Sequence, residues 1–461
     1  MRSWATEELK YAALPDKRLN QRLIKVVENL ARQPQASIPQ ASGDWANTKA
    51  TYNLGKSARI EAEDIIEAHR KQTAQRASKE KIILAIQDTS DFNFTHHQAK
   101  TESQGFGMTC AQKYVRGLKV HSLMASTTQG VPLGILGQQI WTRPVKNSQK
   151  KKNHQGKQSI LNKESKRWLT GLVEAELAIP LTTTVVTVTD REGDIYDLFA
   201  LQREPNSELL IRAKHNRRVN HELKFVQRAV ALIPSAGQLE IVVPRQDEQK
   251  SRTASLTIRY ASFDFPPPIN RAKSFQHQSI TLNVISALED NPNPEVKPIQ
   301  WLLLTTLEVN NFEQAVCYIR WYTYRWLIER YHYVLKSGCR IEQLQLKSAE
   351  RIKKALATYS IVAWRLLWLT YQTRENSSLP CDTILEQDEW QSLYCHFHGF
   401  PLSKSPPNLQ QAMILIARLG GFLARRRDGF PGVKTLWRGL QRLHDLASTW
   451  RLLHSSSNRD L

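Results

Sequence analysis

The fold is decided by residues 183–194, which read TTVVTVTDREGD. This run is rich in β-branched residues and ends in acids, a composition typical of a buried strand with Asp190 at its carboxyl end. Residues 81–91, KIILAIQDTSD, are built the same way and place Asp88 at the end of a first strand. Because open α/β sheets carry their functional sites at the carboxyl ends of strands, we predict that the two aspartates meet at one edge of a sheet.

A third acid lies in residues 322–336, YTYRWLIERYHYVLK, which we interpret as a helix. Helical periodicity places a phenol, two cations and a carboxylate on one stripe of this helix. These residues are Tyr322, Arg325, Glu329 and Lys336. The alternative is an ordinary amphipathic helix whose charges are solvated and whose apolar face packs inward. That face comprises Trp321, Ile328, Tyr331 and Leu335.

Asp88, Asp190 and Glu329 together predict a metal site. Carboxylate oxygens are the ligands that Mg²⁺ and Mn²⁺ prefer in proteins. Three carboxylates can hold two ions about 3.5–4 Å apart, one activating an attacking oxygen and the other stabilising a leaving oxygen. Since phosphate-seeking cations stand beside Glu329, the predicted chemistry is phosphoryl transfer on a polynucleotide.

The spacing Tyr-x2-Arg-x3-Glu-x6-Lys at residues 322–336 resembles the signature of the DDE cut-and-paste bacterial transposases of the insertion-sequence-four family. The likeness runs through nearly the whole chain, in the order of the family. Its segments are GDWANTKATY at 43–52, IQDT at 86–89, WTRP at 141–144, TDREGDI at 189–195, IRAKH at 211–215, WLLLT at 301–305 and IARLGGF at 416–422.

The resemblance implies roles for particular residues. Asp88, Asp190 and Glu329 would be the catalytic and metal-binding triad. The residues that would contact DNA phosphates beside the cleavage point are Tyr322, Arg325 and Lys336, supported by Arg212 and Lys214. Trp301 would stack on a base flipped out during a hairpin intermediate, where stacking contributes about 1–3 kcal/mol; the alternative is a core residue on a buried strand. Arg22 matches a DNA-contacting arginine of the family.

The net charge agrees with a nucleic acid partner. The 461 residues contain 64 Lys and Arg against 43 Asp and Glu, a formal charge of +21. A field of this sign attracts polyanions and raises their encounter rate. Residues 143–167 are the most basic segment, with Glu164 as their single acid. We interpret this segment as a surface loop that tracks phosphates or as an unstructured solvated connection.

The pattern of elements predicts an α/β fold with three parts. Residues 1–75 read as a basic helical module that binds the DNA at the transposon end. Residues 76–375 read as a ribonuclease-H-like catalytic core, with further strands expected at 114–126, 131–141 and 209–213. Residues 216–300 interrupt this core as an inserted β-subdomain. Residues 376–461 are helical and, by resemblance, form the dimerisation region.

An apolar stripe near the end of the chain allows two interpretations. It consists of Leu415, Leu419, Phe422, Leu423, Trp437, Leu440 and Leu443. Such a stripe is most often an ordinary core, but the resemblance makes it a dimer interface that pairs two DNA ends.

The five cysteines are scattered, which predicts reduced thiols. The sequence shows no apolar run of membrane length and no leader pattern, so we expect no membrane partner and a cytoplasmic location.

The leading hypothesis is a metal-dependent DNA transposase. It would bind terminal inverted repeats as a homodimer, cleave the element ends through a hairpin and transfer the 3′ ends into target DNA. One alternative is a ribonuclease-H-like nuclease that only cleaves; another is a catalytically inactive DNA-binding protein that inhibits transposition.

Three further acids lie near the predicted centre, namely Asp91, Glu192 and Asp194. We interpret Asp194 as a helix N-cap.

Overall fold

The computed structural model shows a mixed α/β protein with one large sheet. It describes residues 3–97, 105–109, 115–143, 160, 163–243, 252–269, 278–292, 294, 296–400, 402 and 405–456.

The chain begins with five helices. They are α1 (Trp4–Glu8), α2 (Lys17–Arg32), α3 (Ile38–Ser42), α4 (Trp45–Lys56) and α5 (Ala62–Ala77). The N-cap side chains of Ser3, Asp16, Ser37 and Asp44 each accept a backbone N–H and so satisfy donors that a helix start leaves free. The α2 residues Leu23, Val26, Val27 and Leu30 are buried, as their helical spacing predicts.

In the described part of the chain, ten strands form a single sheet. They are β1 (Ile82–Asn93), β2 (Gly107–Met108), β3 (Arg116–Thr127), β4 (Pro132–Trp141), β5 (Thr184–Thr189), β6 (Ser207–Arg212), β7 (Gly237–Val243), β8 (Arg252–Phe265), β9 (Ile280–Glu289) and β10 (Gln300–Thr305). Their order is β2-β3-β1-β5-β6-β10-β9-β8-β7, with β4 also pairing with β3. Strands β1, β5 and β6 are parallel and the other pairings are antiparallel.

The prediction that Asp88 ends the first strand is wrong. β1 continues to Asn93 because β3 pairs with it from Ile83↔Thr127 to Asn93↔Gly117. The parallel pairing with β5 stops earlier, at Ile86↔Val188. Asp88 therefore lies within β1, at the level where its parallel neighbour ends. The prediction for Asp190 is confirmed, since it follows the last residue of β5.

The segment 216–300 is β-rich as predicted, but its strands do not form a separate sheet. β7, β8 and β9 pair in succession, and β10 then returns beside β6. The alternating burial of β8 shows why, since Ala254, Leu256 and Ile258 pack into the same core cluster as the residues of β1 and β5. The predicted inserted β-subdomain is thus an extension of the central sheet.

Helices cover both faces of the sheet. On one face lie α6 (Lys166–Ala178), α7 (Tyr196–Ala200) and α8 (Val226–Ala231). On the other lie α9 (Phe312–Thr323), α10 (Trp326–Tyr333) and α11 (Ala349–Glu375). Successive residues of a strand point to opposite faces, and each of the two resulting sets of side chains packs against the helices on its own face. The sheet is therefore the middle one of three layers. The chain ends with α12 (Gln387–His398), α13 (Leu409–Leu419) and α14 (Val433–Ser456).

The predicted single helix at 322–336 is interrupted twice. Between α9 and α10 the backbone N–H groups of Tyr324, Arg325 and Leu327 donate three residues back, to Trp321, Tyr322 and Tyr324. After α10, residues Val334–Gly338 form a π-helical turn that ends with Cys339 N donating to Val334 O at 2.7 Å. The four residues of the predicted stripe are therefore separated: Tyr322 lies in α9, Arg325 in the turn before α10, Glu329 in α10 and Lys336 in the π-helical turn. The apolar face from Trp321 to Leu335 is buried, as predicted.

The apolar stripe near the end of the chain is mostly intrachain core. Leu415, Leu419, Trp437 and Leu443 are buried within the chain, whereas Leu423 is 67% exposed. Of this stripe, Leu423 therefore keeps the largest apolar surface available to a partner subunit. Within the described part of the chain, no helix is both long enough and apolar enough to cross a membrane.

We predict that Gly130→Ala lowers the free energy of unfolding by about 2 kcal/mol. Gly130 closes the β3–β4 turn at a φ of +86°, a region that costs a non-glycine residue about 1–3 kcal/mol. An added Cβ would also stand 2.5 Å from Cε1 of Tyr324. Urea denaturation followed by tryptophan fluorescence would measure the change.

Gly55→Ala is the matched control. Gly55 lies in α4, and an added Cβ meets no atom within 4 Å, so the change should stabilise the protein by about 0.5–1 kcal/mol. Equal urea midpoints for Gly130→Ala and wild type would contradict the predicted strain.

Candidate active site

Asp88 and Asp190 lie side by side on the sheet. Every residue pair of the β1–β5 ladder, from Ile82↔Thr184 to Ile86↔Val188, is 102 positions apart in the chain. Continuing this register by two residues places Asp88 opposite Asp190. Burial raises the pKa of the Asp190 carboxyl, and the nearby charge of Asp88 acts in the same direction. The structure thus brings together two of the three predicted carboxylates.

The parity of the strands places the other predicted residues on the same face. Along a strand, alternate residues share a face. Asp88 therefore lies on the same face as Leu84 and Ile86, and Arg212 lies on the same face as Leu210. Leu84, Ile86, Val186, Val188, Leu210 and Leu303 all belong to the core cluster beneath α9, α10 and α11. Asp88, Asp190, Arg212 and Trp301 therefore face the layer that carries Glu329.

Glu329 is held by an arginine of its own segment. Arg325 Nη1 lies 2.5 Å from Glu329 Oε1, an i,i+4 pair on the exposed side of α10. The Arg325 side chain is 11% exposed and that of Glu329 is 51% exposed. Among the described residues, no three His, Cys, Asp or Glu side chains stand close enough to hold one metal ion. Glu329 is paired with Arg325 in this structure, and its convergence with the two aspartates stays a prediction.

Three polar atoms in this region are buried without a hydrogen-bond partner among the described residues. They are Tyr322 Oη, Arg325 Nε and Arg212 Nε. Arg212 Nη2 donates to Gln300 O at 3.0 Å, which fixes one end of its guanidinium. Burial raises the pKa of Tyr322, which keeps the phenol protonated. Because unpaired buried donors are costly, this cluster is suited to anionic oxygens of a ligand.

Trp301 stands at the rim of this cluster. It is partly buried on β10, and its ring centroid lies 5.4 Å from that of Tyr322 at an interplanar angle of 70°. It packs against the core and still keeps an accessible surface, so both predicted roles fit its position.

The remaining predicted DNA contacts are not all in one place. Lys336 Nζ lies 5.1 Å from the centroid of the Phe92 ring, four residues beyond Asp88 on β1. Lys214 is exposed just after β6. Arg22 lies apart on α2, where it donates to Asn47 Oδ1 at 3.1 Å.

His332 is a neighbour of Asp88 that our sequence interpretation missed. Its Nδ1 lies 3.7 Å from Asp88 Oδ2, and its Nε2 lies 3.1 Å from Ser122 Oγ on β3. It is buried on α10, three residues after Glu329. That i+3 spacing is the signal that could have found it.

The three neighbouring acids have other partners. Asp91 forms an ion pair with Lys119, and Glu192 with Arg167 at 2.8 Å. The interpretation of Asp194 as a helix N-cap is wrong, since Ile195 holds that position in α7. The buried carboxylate of Asp194 instead accepts hydrogen bonds from the segment after β6.

Most of the basic segment 143–167 lies outside the described residues, including Lys146, Lys150, Lys151, Lys152 and Lys157. At its two ends, Arg143 Nε donates to Glu164 Oε1 at 2.5 Å. Arg167 Nε donates to Thr89 Oγ1 at 2.9 Å, beside Asp88.

Three protein-family models match the chain, and together they span nearly all of it. Residues 1–60 match the model described as transposase DNA-binding. Residues 79–365 match the transposase DDE domain, which is more than half of the chain. Residues 361–459 match the transposase Tn5 dimerisation domain.

Proposed function

The chain belongs to the DDE transposase family, and from this premise we propose that it is a cut-and-paste transposase that releases transposon ends through a DNA hairpin. The observation that carries the proposal is the proximity of Asp88 and Asp190, which the continued β1–β5 register aligns beside a cluster of buried donors without hydrogen-bond partners. Carboxylates beside arginines without partners suit a metal ion and a phosphate together. The Tyr-Arg-Glu-Lys spacing supports assignment to the insertion-sequence-four family.

The donor set fits Mg²⁺ or Mn²⁺, with Asp88, Asp190 and Glu329 as the residues that would hold two ions. All three are carboxylates, and Asp88 and Asp190 already lie next to each other. Bound ions would activate an attacking oxygen and stabilise the leaving oxygen of an in-line displacement. Glu329 has an exposed carboxylate, so it can exchange its contact with Arg325 for another partner.

The surrounding side chains position the DNA strand. Tyr322, Arg325 and Arg212 offer their free donors to the oxygens of the phosphate at the cleavage point, with Lys336 and Lys214 neutralising its neighbours. Trp301 stacks on a base that leaves the duplex when the hairpin forms. A base at this rim lies next to Tyr322 and so brings its phosphate toward the carboxylates.

The three parts of the chain divide the work. Residues 1–75 bind the inverted repeat, residues 76–375 carry the chemistry and residues 376–461 pair two subunits. The match to DNA-binding and dimerisation models supports a DNA partner and a homodimer. Two subunits on two ends would form the synaptic complex from which the 3′ ends attack target DNA.

The test is cleavage of a labelled DNA fragment that carries the inverted repeats flanking this gene. We expect hairpin-ended products on a denaturing gel with Mg²⁺ or Mn²⁺, and none with EDTA or with scrambled repeats. Cleavage without joining to a target plasmid would favour the nuclease alternative. Specific binding without cleavage under either metal would favour the inactive DNA-binding alternative.

A further inference from the structure

Asp194 forms a buried bridge between the two loops that flank the candidate active site. Its side chain has no exposed surface. One carboxylate oxygen, Oδ2, accepts the backbone N–H groups of Lys214 at 2.7 Å and of His215 at 2.9 Å. The other, Oδ1, accepts Arg217 Nε at 2.8 Å, and the backbone oxygen of Asp194 accepts Arg217 Nη2 at 2.9 Å.

The first of these loops carries Asp190. After β5, the Asp190 side chain accepts Glu192 N at 2.8 Å and its backbone oxygen accepts Gly193 N at 3.1 Å. This tight turn leads directly into Asp194. The position of Asp194 is therefore set by the same turn that orients the Asp190 carboxylate.

The second loop carries the cations that follow β6. Sheet pairing of this strand runs out at its carboxyl end, with a last bond from Ala213 N to Leu302 O at 2.7 Å. Beyond it, Lys214, His215 and Asn216 are exposed. Where the sheet pairing ends, the Asp194 carboxylate accepts the next two backbone N–H groups in place of a neighbouring strand.

Burying the Asp194 carboxylate costs solvation free energy, and the contacts of the bridge compensate for that cost. A buried carboxylate is expensive unless it is paired and fully hydrogen-bonded, and Arg217 together with two N–H groups meets that requirement. The same two strands are joined at their opposite ends by a neutral contact, from Asn206 Nδ2 to Thr183 O at 2.6 Å. Of these two contacts between the strand ends, only the one at the carboxyl ends, beside Asp190 and Arg212, is charged.

We propose that Asp194 is a positioning residue that fixes Lys214 relative to Asp190, so that this cation meets the phosphate beside the cleavage point while the carboxylates meet the scissile phosphate. This inference rests on the proposed function. Asp194 does not itself touch the DNA. It acts through the backbone of the β6 loop and determines where that loop stands during the chemical step.

Asp194→Asn tests the proposal. An amide keeps one acceptor oxygen for the loop but turns N–H groups toward Arg217, so the bridge weakens while the side chain keeps its size. We expect the single-turnover rate constant for strand cleavage at saturating DNA to fall ~10- to 100-fold, as for other small misplacements of catalytic groups. The dissociation constant for uncut repeat DNA, measured with Ca²⁺ in place of Mg²⁺, should stay within about twofold, because the N-terminal module is unchanged.

Two comparisons separate positioning from general stability. Asn206→Ala removes the contact at the other ends of β5 and β6, and it should leave the cleavage rate constant within about twofold of wild type. In a Lys214→Ala background, Asp194→Asn should slow cleavage only a few-fold, since the residue through which it acts is already gone. An equal slowing by Asn206→Ala, or the full Asp194→Asn effect in the Lys214→Ala background, would overturn the proposal.

Amide hydrogen exchange tests the bridge without using activity. The N–H groups of Lys214 and His215 should exchange slowly in wild type and in Asn206→Ala, and faster in Asp194→Asn. Fast exchange in wild type would disprove the bridge even if the protein cleaves DNA. If Asp194→Asn unfolds, Arg217→Lys, which keeps the charge and loses the double contact, gives the same test in a milder form. Failure of wild type to cleave would count against the proposed function alone.

Discussion

Replacing Asp190 with Asn is expected to lower the rate constant of metal-dependent DNA cleavage by on the order of 10³-fold, which is about 4 kcal/mol of activation free energy. A neutral amide supplies no charge to a divalent ion, and Asp88 would remain alone on that part of the sheet. The fold should tolerate the change, because the raised pKa of Asp190 shows that its charge is unfavourable in this buried place. The amide oxygen can still accept Glu192 N, as the carboxylate does at 2.8 Å.

The control for this prediction is Glu192→Gln. Glu192 is two residues away, its side chain is 60% exposed, and its partner is Arg167 on α6. We expect this variant to cleave within about threefold of wild type. Both variants would be measured by single-turnover cleavage of prebound DNA. An Asp190→Asn rate within tenfold of wild type would mean that the carboxylate pair is not the catalytic centre.

The second large effect concerns stability, through a buried carboxylate at the end of α1. Glu8→Gln is expected to lower the free energy of unfolding at pH 7 by about 3 kcal/mol, the usual cost of breaking a buried ion pair. Glu8 accepts Arg76 Nη1 at 2.7 Å and Arg76 Nη2 at 3.0 Å, and its Oε1 lies 2.6 Å from His69 Nδ1. His69 Nε2 accepts Ile135 N at 2.9 Å, so its proton is on Nδ1 and is donated to Glu8. Glu8→Gln would leave Arg76 without its carboxylate.

The same cluster determines how stability depends on pH. Burial acts to raise the pKa of Glu8, but His69 and Arg76 outweigh it and lower that pKa from 4.5 to about 2. A carboxyl with a depressed folded pKa stabilises the protein above pH 4.5, and this contribution is lost as the pH falls toward 2. Burial also lowers the pKa of His69, whose ordinary value is 6.5. Below that pH the imidazole is protonated in the unfolded chain but stays neutral in the folded protein. The free energy of unfolding therefore starts to fall at a higher pH than the one at which Glu8 is protonated.

The measurement is urea denaturation at pH 7, 5 and 3. Wild type should lose stability at each step, whereas Glu8→Gln should start lower and lose less between pH 5 and 3. Glu7→Gln is the control, because Glu7 is adjacent but 53% exposed and pairs with Lys10 on the surface. Parallel pH curves for wild type and Glu8→Gln would show that another group causes the acid sensitivity.

Local composition was sufficient to predict the parallel strands, but not their lengths. The β-branched run before Asp190 ends in a turn that its own acids stabilise, so the end of β5 is visible in the sequence. β1 continues past Asp88 because β3 extends alongside it, and that pairing joins residues distant in sequence. The strands of 216–300 were recognisable by their alternation, yet only their partners show that they extend the core sheet.

The site shows the same division. Residue types and helical spacing predicted Tyr322, Arg325 and Glu329, and these lie on one side of the molecule with Asp88 and Asp190. The interruption at Tyr324–Arg325 contains neither proline nor glycine, so nothing local predicted it. The contact between Arg325 and Glu329 follows from i,i+4 geometry. Asp194 was misread because a residue after a glycine turn looks like an N-cap.

The order of strands in the sheet has a consequence for how the protein folds. From β7 to β10 each strand pairs with the next one along the chain, so this meander closes only short loops. Asp88 and Asp190, in contrast, meet only when β1 and β5 pair across 102 positions of the chain. Because closing a long loop costs more chain entropy than closing a short one, we expect this pairing to form after the meander. A partly folded chain, or one still emerging from the ribosome, would therefore lack the carboxylate pair, and a nascent transposase could not cut DNA before its core is complete.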